Sequence, residues 1–346
     1  MAYSTIDKPS SYFDTKLYTG TGSTQSITGV GFKPDWVWIK VRSSAFAHGL
    51  YDAVRGVTNK LSSNSTDAEV SSSGLTAFNT DGFTLGSDAG ANQNTGTFVS
   101  WNWLGANSTT TNTAGTISST VSANTTSGFS IVSYTGNGTA GATIGHGLGV
   151  APKMVIVKRR DGAVNWIVYH SGIGATKYLE LNTTEVAQLQ SSFNMFNSTA
   201  PSSSLITLGN LSNTNGNTNT YIAYCFAEIK GFSKAFSYTG NGSTDGTFTY
   251  CGFSPAFLLI KRTDTTGEWE IFDNKRDTYN ARIGLLEANN SASETVSSTV
   301  AIDFLSNGFK QRNTRIPTNA SGGTYIGIAF ASNPFVSSKG IPTCAF

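Results

Sequence analysis

Charge is what this chain has least of. Asp, Glu, Lys and Arg make up 13% of its 346 residues, about half the usual share. They balance to a net charge of +2, too little for a dedicated nucleic-acid surface. Cysteine is scarce and odd in number: Cys225, Cys251 and Cys344, with no Cys-x-x-Cys spacing. That argues against a disulfide framework or a zinc site and leaves buried free thiols. No apolar run approaches the ~18 residues of a membrane span. The opening Met-Ala-Tyr-Ser-Thr-Ile-Asp-Lys-Pro-Ser has no apolar core of a secretory signal. Membrane insertion is therefore not expected. Proline is also sparse, at 8 residues against 37 glycines.

What fills the chain is Gly, Ser, Thr and Asn, together with 12% aromatics. A disordered polar chain would be aromatic-poor. This mixture suits an all-β protein of short strands and many turns. Asn-x-Ser/Thr triplets, as at Asn64, Asn107, Asn124, Asn182 and Asn197, follow from the composition.

A cassette recurs three times. It opens on Tyr-Thr-Gly-x-Gly, crosses a short hairpin, turns at a proline and enters an apolar strand closed by lysine. The copies run from Tyr18 to Lys40, Tyr134 to Lys158 and Tyr238 to Lys261, their starts 116 and 104 residues apart. Six residues separate Pro34, Pro152 and Pro255 from Lys40, Lys158 and Lys261. Eight beyond each lysine stand His48, Trp166 and Trp269, and twelve beyond stand Asp52, His170 and Asp273. Leu61 to Asn64, Leu179 to Asn182 and Leu286 to Asn289 follow in the same order. Asp81-Gly82-Phe83 and Asn307-Gly308-Phe309 mark a second turn. Such spacings are domain-sized rather than those of a solenoid or propeller blade.

The expected fold is all-β, with three tandem homologous β-sandwich-like domains. The boundaries are 1–107, 108–231 (including a linker and an extra strand near Gly115 to Val121), 232–335, and a tail over 336–346. Trp36-Val37-Trp38-Ile39, Met154-Val155-Ile156-Val157 and Phe257-Leu258-Leu259-Ile260 are continuous apolar runs, the signature of strands covered on both faces. Asn-Gly at 137–138 and 241–242 signals type I′ hairpins. Thr183 to Gln190 is the best helix candidate, and Trp166 to His170 reads as a strand turning polar and half exposed.

No catalytic constellation emerges. Gly136-x-Gly138-x-x-Gly141 matches the dinucleotide fingerprint in letters, but no helix opening follows, and the third copy has Asp245 in place of the last glycine. His48, His146 and His170 lack metal-ligand spacing. Glu180 and Glu287 are equivalent, but the first copy has Ser62 there. No metal or cofactor is indicated. The basic clusters at the strand exits, including Lys158 and Arg160, are candidates for an acidic partner, or else solvated strand ends. Trp166, Trp269, Trp101 and Trp103 are candidates for sugar stacking or partner contact, or else core.

The segments "GFKPDWVWIK" at 31–40, "GHGLGVAPKMVIVKRRDGAVNWIVYH" at 145–170, "YIAYCFAE" at 221–228, and "DFLSNGFK" with "SGGTYIGIAFASNPF" within 303–335 carry a resemblance. The chain resembles a repeat-domain family of tailed-bacteriophage virion proteins common in marine phages. The resemblance spans nearly the whole chain, and its motifs are structural, with no catalytic residues to transfer. It implies a non-enzymatic virion component assembled in the host cytoplasm. Together with the tandem copies and the aromatic-rich composition, it leads to the expectation of a place in the tail fibre or adsorption apparatus, with outward loops on the host surface. A capsid decoration or vertex protein is the alternative, and a polysaccharide depolymerase a third reading. The implied partners are other virion proteins and a host surface glycan, not nucleic acid. A homotrimer is the favoured assembly, against a monomer made pseudo-symmetric by its three copies.

Overall fold

Every side chain of the strand Trp36–Val41 is buried, yet successive residues enter different cores. Trp36 and Trp38 join a cluster drawn from all three copies, while Val37, Ile39 and Val41 face the other way into a local core. The two-residue period of a strand produces this division. Met154 and Ile156 likewise face the shared cluster, and Val155 and Val157 a local one. In the third copy Phe257 and Leu259 are shared, and Leu258 and Ile260 local. The continuous apolar runs are thus strands sandwiched between two hydrophobic layers.

The computed structural model describes residues 4–342. The protein is all-β, with antiparallel sheets; among the described residues its α-helices are the four-residue Ala89–Asn92 and Ile316–Asn319, beside three single 3-10 turns. Among the described residues no helix is long and apolar enough to cross a membrane.

Three large sheets share one strand order, here called outer, closing, central and fourth. The first has Phe13–Thr19, Thr97–Trp103, Trp36–Val41 and Gly49–Asp52. The second has Phe129–Thr135, Thr220–Phe226, Met154–Arg159 and Ile167–His170. In the third these are Ser233–Thr239, Thr324–Pro334, Phe253–Arg262 and Trp269–Asp273. A smaller sheet covers the local face of each. It pairs Gln25–Thr28 with Gly82–Leu85, Thr143–Gly145 with Leu205–Thr207, and Phe248–Tyr250 with Gly308–Gln311. The strand Ser119–Asn124 adds to the outer edge of the second sheet, and Thr110–Asn112 pairs with it in turn.

The glycines of the cassette have distinct uses. A Cβ on Gly20, Gly136 or Gly240 would lie 2.2, 2.4 or 2.4 Å from the carbonyl oxygen of Gln93, Gly216 or Ala320. Gly22, Gly138 and Gly242 instead take left-handed φ values of 72°, 70° and 67°. A buried asparagine fixes each turn: the side-chain carbonyls of Asn92, Asn215 and Asn319 accept from the backbone N–H of Thr21, Asn137 and Asn241.

Several expectations are corrected. The Asn-Gly pairs do not form type I′ hairpins, because Asn137 and Asn241 stay out of the left-handed region. The strands flanking each pair also belong to different sheets, so the chain crosses between layers there. Residues 183–190 form no helix; Gln188–Leu189 instead pairs as a short strand with Lys177–Glu180. The segment 166–170 is buried throughout, covered on one side by the other copies. Pro255 lies inside its strand, beside a register shift that accommodates its missing N–H.

Candidate functional site

The three large sheets meet in a ring, and the same side-chain positions make each junction. The Trp166 indole N–H donates to Ser62 O at 2.9 Å, and the Trp269 indole N–H to Glu180 O at 2.9 Å. The equivalent His48 lies 3.0 Å from Glu287 O through Nε2. Its Nδ1 accepts from the Trp38 indole, so Nε2 carries the proton and donates. Second copy thus contacts first, third contacts second, and first contacts third, which closes a cycle. Ser62, Glu180 and Glu287 are equivalent residues, but the cycle uses their backbone carbonyls and not their side chains. Inside it, rings from all three copies pack together: Trp36 stacks on Tyr224 at 4.3 Å, and Trp103 packs edge-on to Phe330 at 5.7 Å.

The closing lysines follow the same cycle. Lys40 Nζ donates to Ser291 O at 3.1 Å, Lys158 Nζ to Thr66 O at 2.8 Å, and Lys261 Nζ to Thr184 O at 2.9 Å. All three lysines are buried. That burial, away from water, lowers the pKa of each to about 8. They are not solvated strand ends. Two residues on, backbone pairing crosses each junction: Glu69 N–H to Arg160 O, Glu294 N–H to Arg42 O, and Ala187 N–H to Thr263 O.

Two junctions are ionic and the third is not. At the first, buried Asp52 pairs with Arg55 and accepts from the Tyr224 hydroxyl of the second copy at 2.7 Å. Arg55 also reaches Glu69, which in turn pairs with Arg160. Burial opposes the Arg55 charge, but Asp52, Tyr224 and Glu69 outweigh it and hold its pKa above the usual value. Another junction repeats the set with Asp273, Arg276, Glu294 and Arg42, and Asp273 accepts from the Trp101 indole at 3.1 Å. At the third, the matching residues are His170, Ile173, Ala187 and Thr263. The strand position held by Trp101 and Tyr224 is Ile328 there, with no hydrogen to donate. A carboxylate would lack its partners at this place. His170 instead accepts the Gly172 N–H through Nδ1 and donates from Nε2 to Gly327 O at 3.0 Å. Burial lowers its pKa to about 4, so it is neutral.

The residues singled out as ligand contacts therefore sit inside this ring. Trp101, Trp103, Trp166 and Trp269 belong to the shared core and are 0–2% exposed. Rings so covered cannot stack on a sugar while the sheets stay packed. Lys158 is buried, and Arg160 is engaged with Glu69. Residues missed from the sequence include Tyr224, Glu69, Glu294 and the asparagines Asn64, Asn182 and Asn289. Those asparagines accept from the backbone N–H of His48, Trp166 and Trp269. Their constant position in the repeat was the available signal.

Among the described residues no cluster of His, Cys, Asp and Glu is arranged to hold a metal. Cys225 and Cys251 are buried free thiols, and burial pushes both up to about 12. Cys344 lies outside the described residues. Glu270 is fully buried, and its pKa rises to about 7. Burial is the main cause, Arg315 opposes it and Glu287 adds to it. It alternates with Trp269 and Ile271, so it faces the local core of the third copy. Arg315 lies 2.6 Å away.

The fold and its junctions define an all-β protein whose sheets close around a common aromatic core. The chain matches the family described as "Domain of unknown function (DUF7483)" over residues 8–334 and belongs to it. That match runs through all three copies of the repeat. A search of curated proteins finds no match.

Proposed function

We propose that the chain is a non-enzymatic structural protein of a tailed-bacteriophage particle, and that its place is the tail fibre or adsorption apparatus, facing the host surface. On this reading the three copies are homologous β-sandwich-like domains, locked into a pseudo-threefold block within one chain. The observation that carries the structural role is the closed cycle of junctions. The large rings and buried charges of the repeat hold the copies to one another, as a rigid presenting block requires. The phage assignment rests on the resemblance of the repeat motifs. Specificity on this reading lies in the loops that differ between copies, such as 23–30, 139–150 and 243–251.

Capsid decoration is the second reading, favoured by the same rigidity. Quantitative mass spectrometry of purified particles separates the two: hundreds of copies per particle place the chain on the capsid, and a few to some tens on the tail. Adsorption tests the leading reading directly. Purified chain that neither binds host cells nor competes with infection sinks the host-contact role. A depolymerase would need two carboxylates facing one accessible site. The cross-strand pair Glu270 and Glu287 does not offer that, because Glu270 is buried. Release of reducing ends from host polysaccharide would reinstate that reading.

A further inference from the structure

The junction that breaks the ionic pattern also holds a cavity of about 530 Å³ between the second and third copies. Ile173, Ala187 and Thr263 line it. At the sibling junctions the matching positions carry arginine, glutamate and arginine: Arg55, Glu69 and Arg160 at one, Arg276, Glu294 and Arg42 at the other. Positions in two different copies therefore lack the long charged side chains together, and only at this junction.

What remains around the space is chemically distinctive. Ser237 and Thr239 bring exposed hydroxyls from the outer strand of the third sheet, and beneath them lies half-buried Thr263, whose hydroxyl is 2.7 Å from that of Thr324. Lys177 supplies an exposed ammonium. The carboxylate of Asp264 is already held by Arg262 through two hydrogen bonds of 2.9 Å, so Lys177 sets the local charge. Ile173 and Ala187 give an apolar floor. The volume lies within the ~300–1,000 Å³ usual for small-ligand sites, while the hydroxyl-rich wall is wrong for a lipid-like ligand.

We infer that this cavity binds a carboxylated sugar unit of a polysaccharide: hydroxyls meet Ser237, Thr239 and Thr263, a sugar face meets Ile173 and Ala187, and the carboxylate meets Lys177. The choice of a saccharide rests on the host-surface reading above; the location and the charge preference rest on the cavity.

The test uses the full chain and saturation-transfer NMR with methyl β-glucuronide and methyl β-galacturonide, and their neutral hexose counterparts as controls. The uronides should bind, the neutral sugars at least tenfold more weakly. Lys177→Ala should weaken uronide binding by tenfold or more. The double variant Ala187→Glu with Thr263→Arg refills the space with the pair that the sibling junctions carry, so it should fold with an unchanged Tm and lose binding. No uronide binding by the wild type overturns the inference, as does binding that survives in the folded refilled variant or favours the neutral sugars. Host-cell adsorption of the same proteins separates the two levels. Adsorption kept by the refilled variant leaves the host-contact role standing and removes this cavity from it. Absence of adsorption by the wild type sinks that role, while the uronide titration still decides the cavity.

Discussion

Replacing Arg55 with isoleucine, the residue that Ile173 provides at the matching place, isolates what one ionic junction contributes. Asp52 and Arg55 both have fully buried side chains. Arg55 also donates to Leu50 O and Asn59 O at 2.9 Å each. Removing one member of a buried pair strands the other charge, and such changes cost about 3–5 kcal/mol. R55I alone should lose that much in urea-melt stability. The outcome changes if the whole junction is converted to the third pattern, with Asp52→His, Glu69→Ala, Arg160→Thr and Tyr224→Ile added. No carboxylate then remains stranded, and the five changes touch one another, so they should couple strongly. The combined variant should be more stable than the sum of the five single losses by several kcal/mol, of order 3 or more. Circular dichroism melts of the six variants supply the comparison. A loss below about 1 kcal/mol for R55I, or strict additivity across the set, would refute the equivalence of the junctions.

Three further outcomes are expected. Glu270 keeps a proton up to about pH 7 in the fold, whereas an unfolded glutamate releases it near ~4.3. The folded state binds the extra proton between these values, so this group's contribution to stability falls as pH rises through that window and is flat above it. E270Q removes the loss, and its gain over the wild type should grow by about 2–3 kcal/mol from pH 4.5 to 7; a pH-independent difference counts against the buried charge. Trp101 hydrogen-bonds Asp273, whereas the Trp103 indole N–H has no partner among the described residues. W101F should therefore cost about 1–3 kcal/mol more than W103F in the same melts, and equal costs would show that the bond contributes nothing. G240A places a methyl 2.4 Å from Ala320 O and should lower the Tm by several degrees, while an unchanged Tm would mean that the turn yields freely.

Much of the fold was legible because strand periodicity is local. The runs at Trp36, Met154 and Phe257 declare two buried faces, and constant offsets from the lysines align the copies without any structure. The junctions were not legible, for a physical reason. Lys40 and Ser291, or Trp101 and Asp273, meet only after three sheets have packed, and nothing in either segment names its partner. The exposed tryptophan expected of a binding surface and the buried tryptophan of a junction have the same letters. Position 170 holds histidine where the other two copies hold aspartate. The reason lies in another segment, at Ile328, where the donor that a carboxylate would need is missing. The misplaced helix at 183–190 failed similarly: its polar residues serve a crossing to the third copy, where Thr184 O receives Lys261.

The direction of the cycle sets an order of events during synthesis. Contacts from the second copy to the first, such as Trp166 to Ser62, become available once two copies exist. The bond from Lys40 to Ser291 spans 251 residues, so the first copy presents an uncovered aromatic face until the third has left the ribosome. A chain truncated before Glu287 should expose Trp38 and Trp101 to solvent, to chaperones and to the matching faces of other truncated chains. Swapped assemblies, in which one chain's third copy closes another chain's ring, are the natural failure of such an architecture, and slow translation of the last hundred residues would favour them.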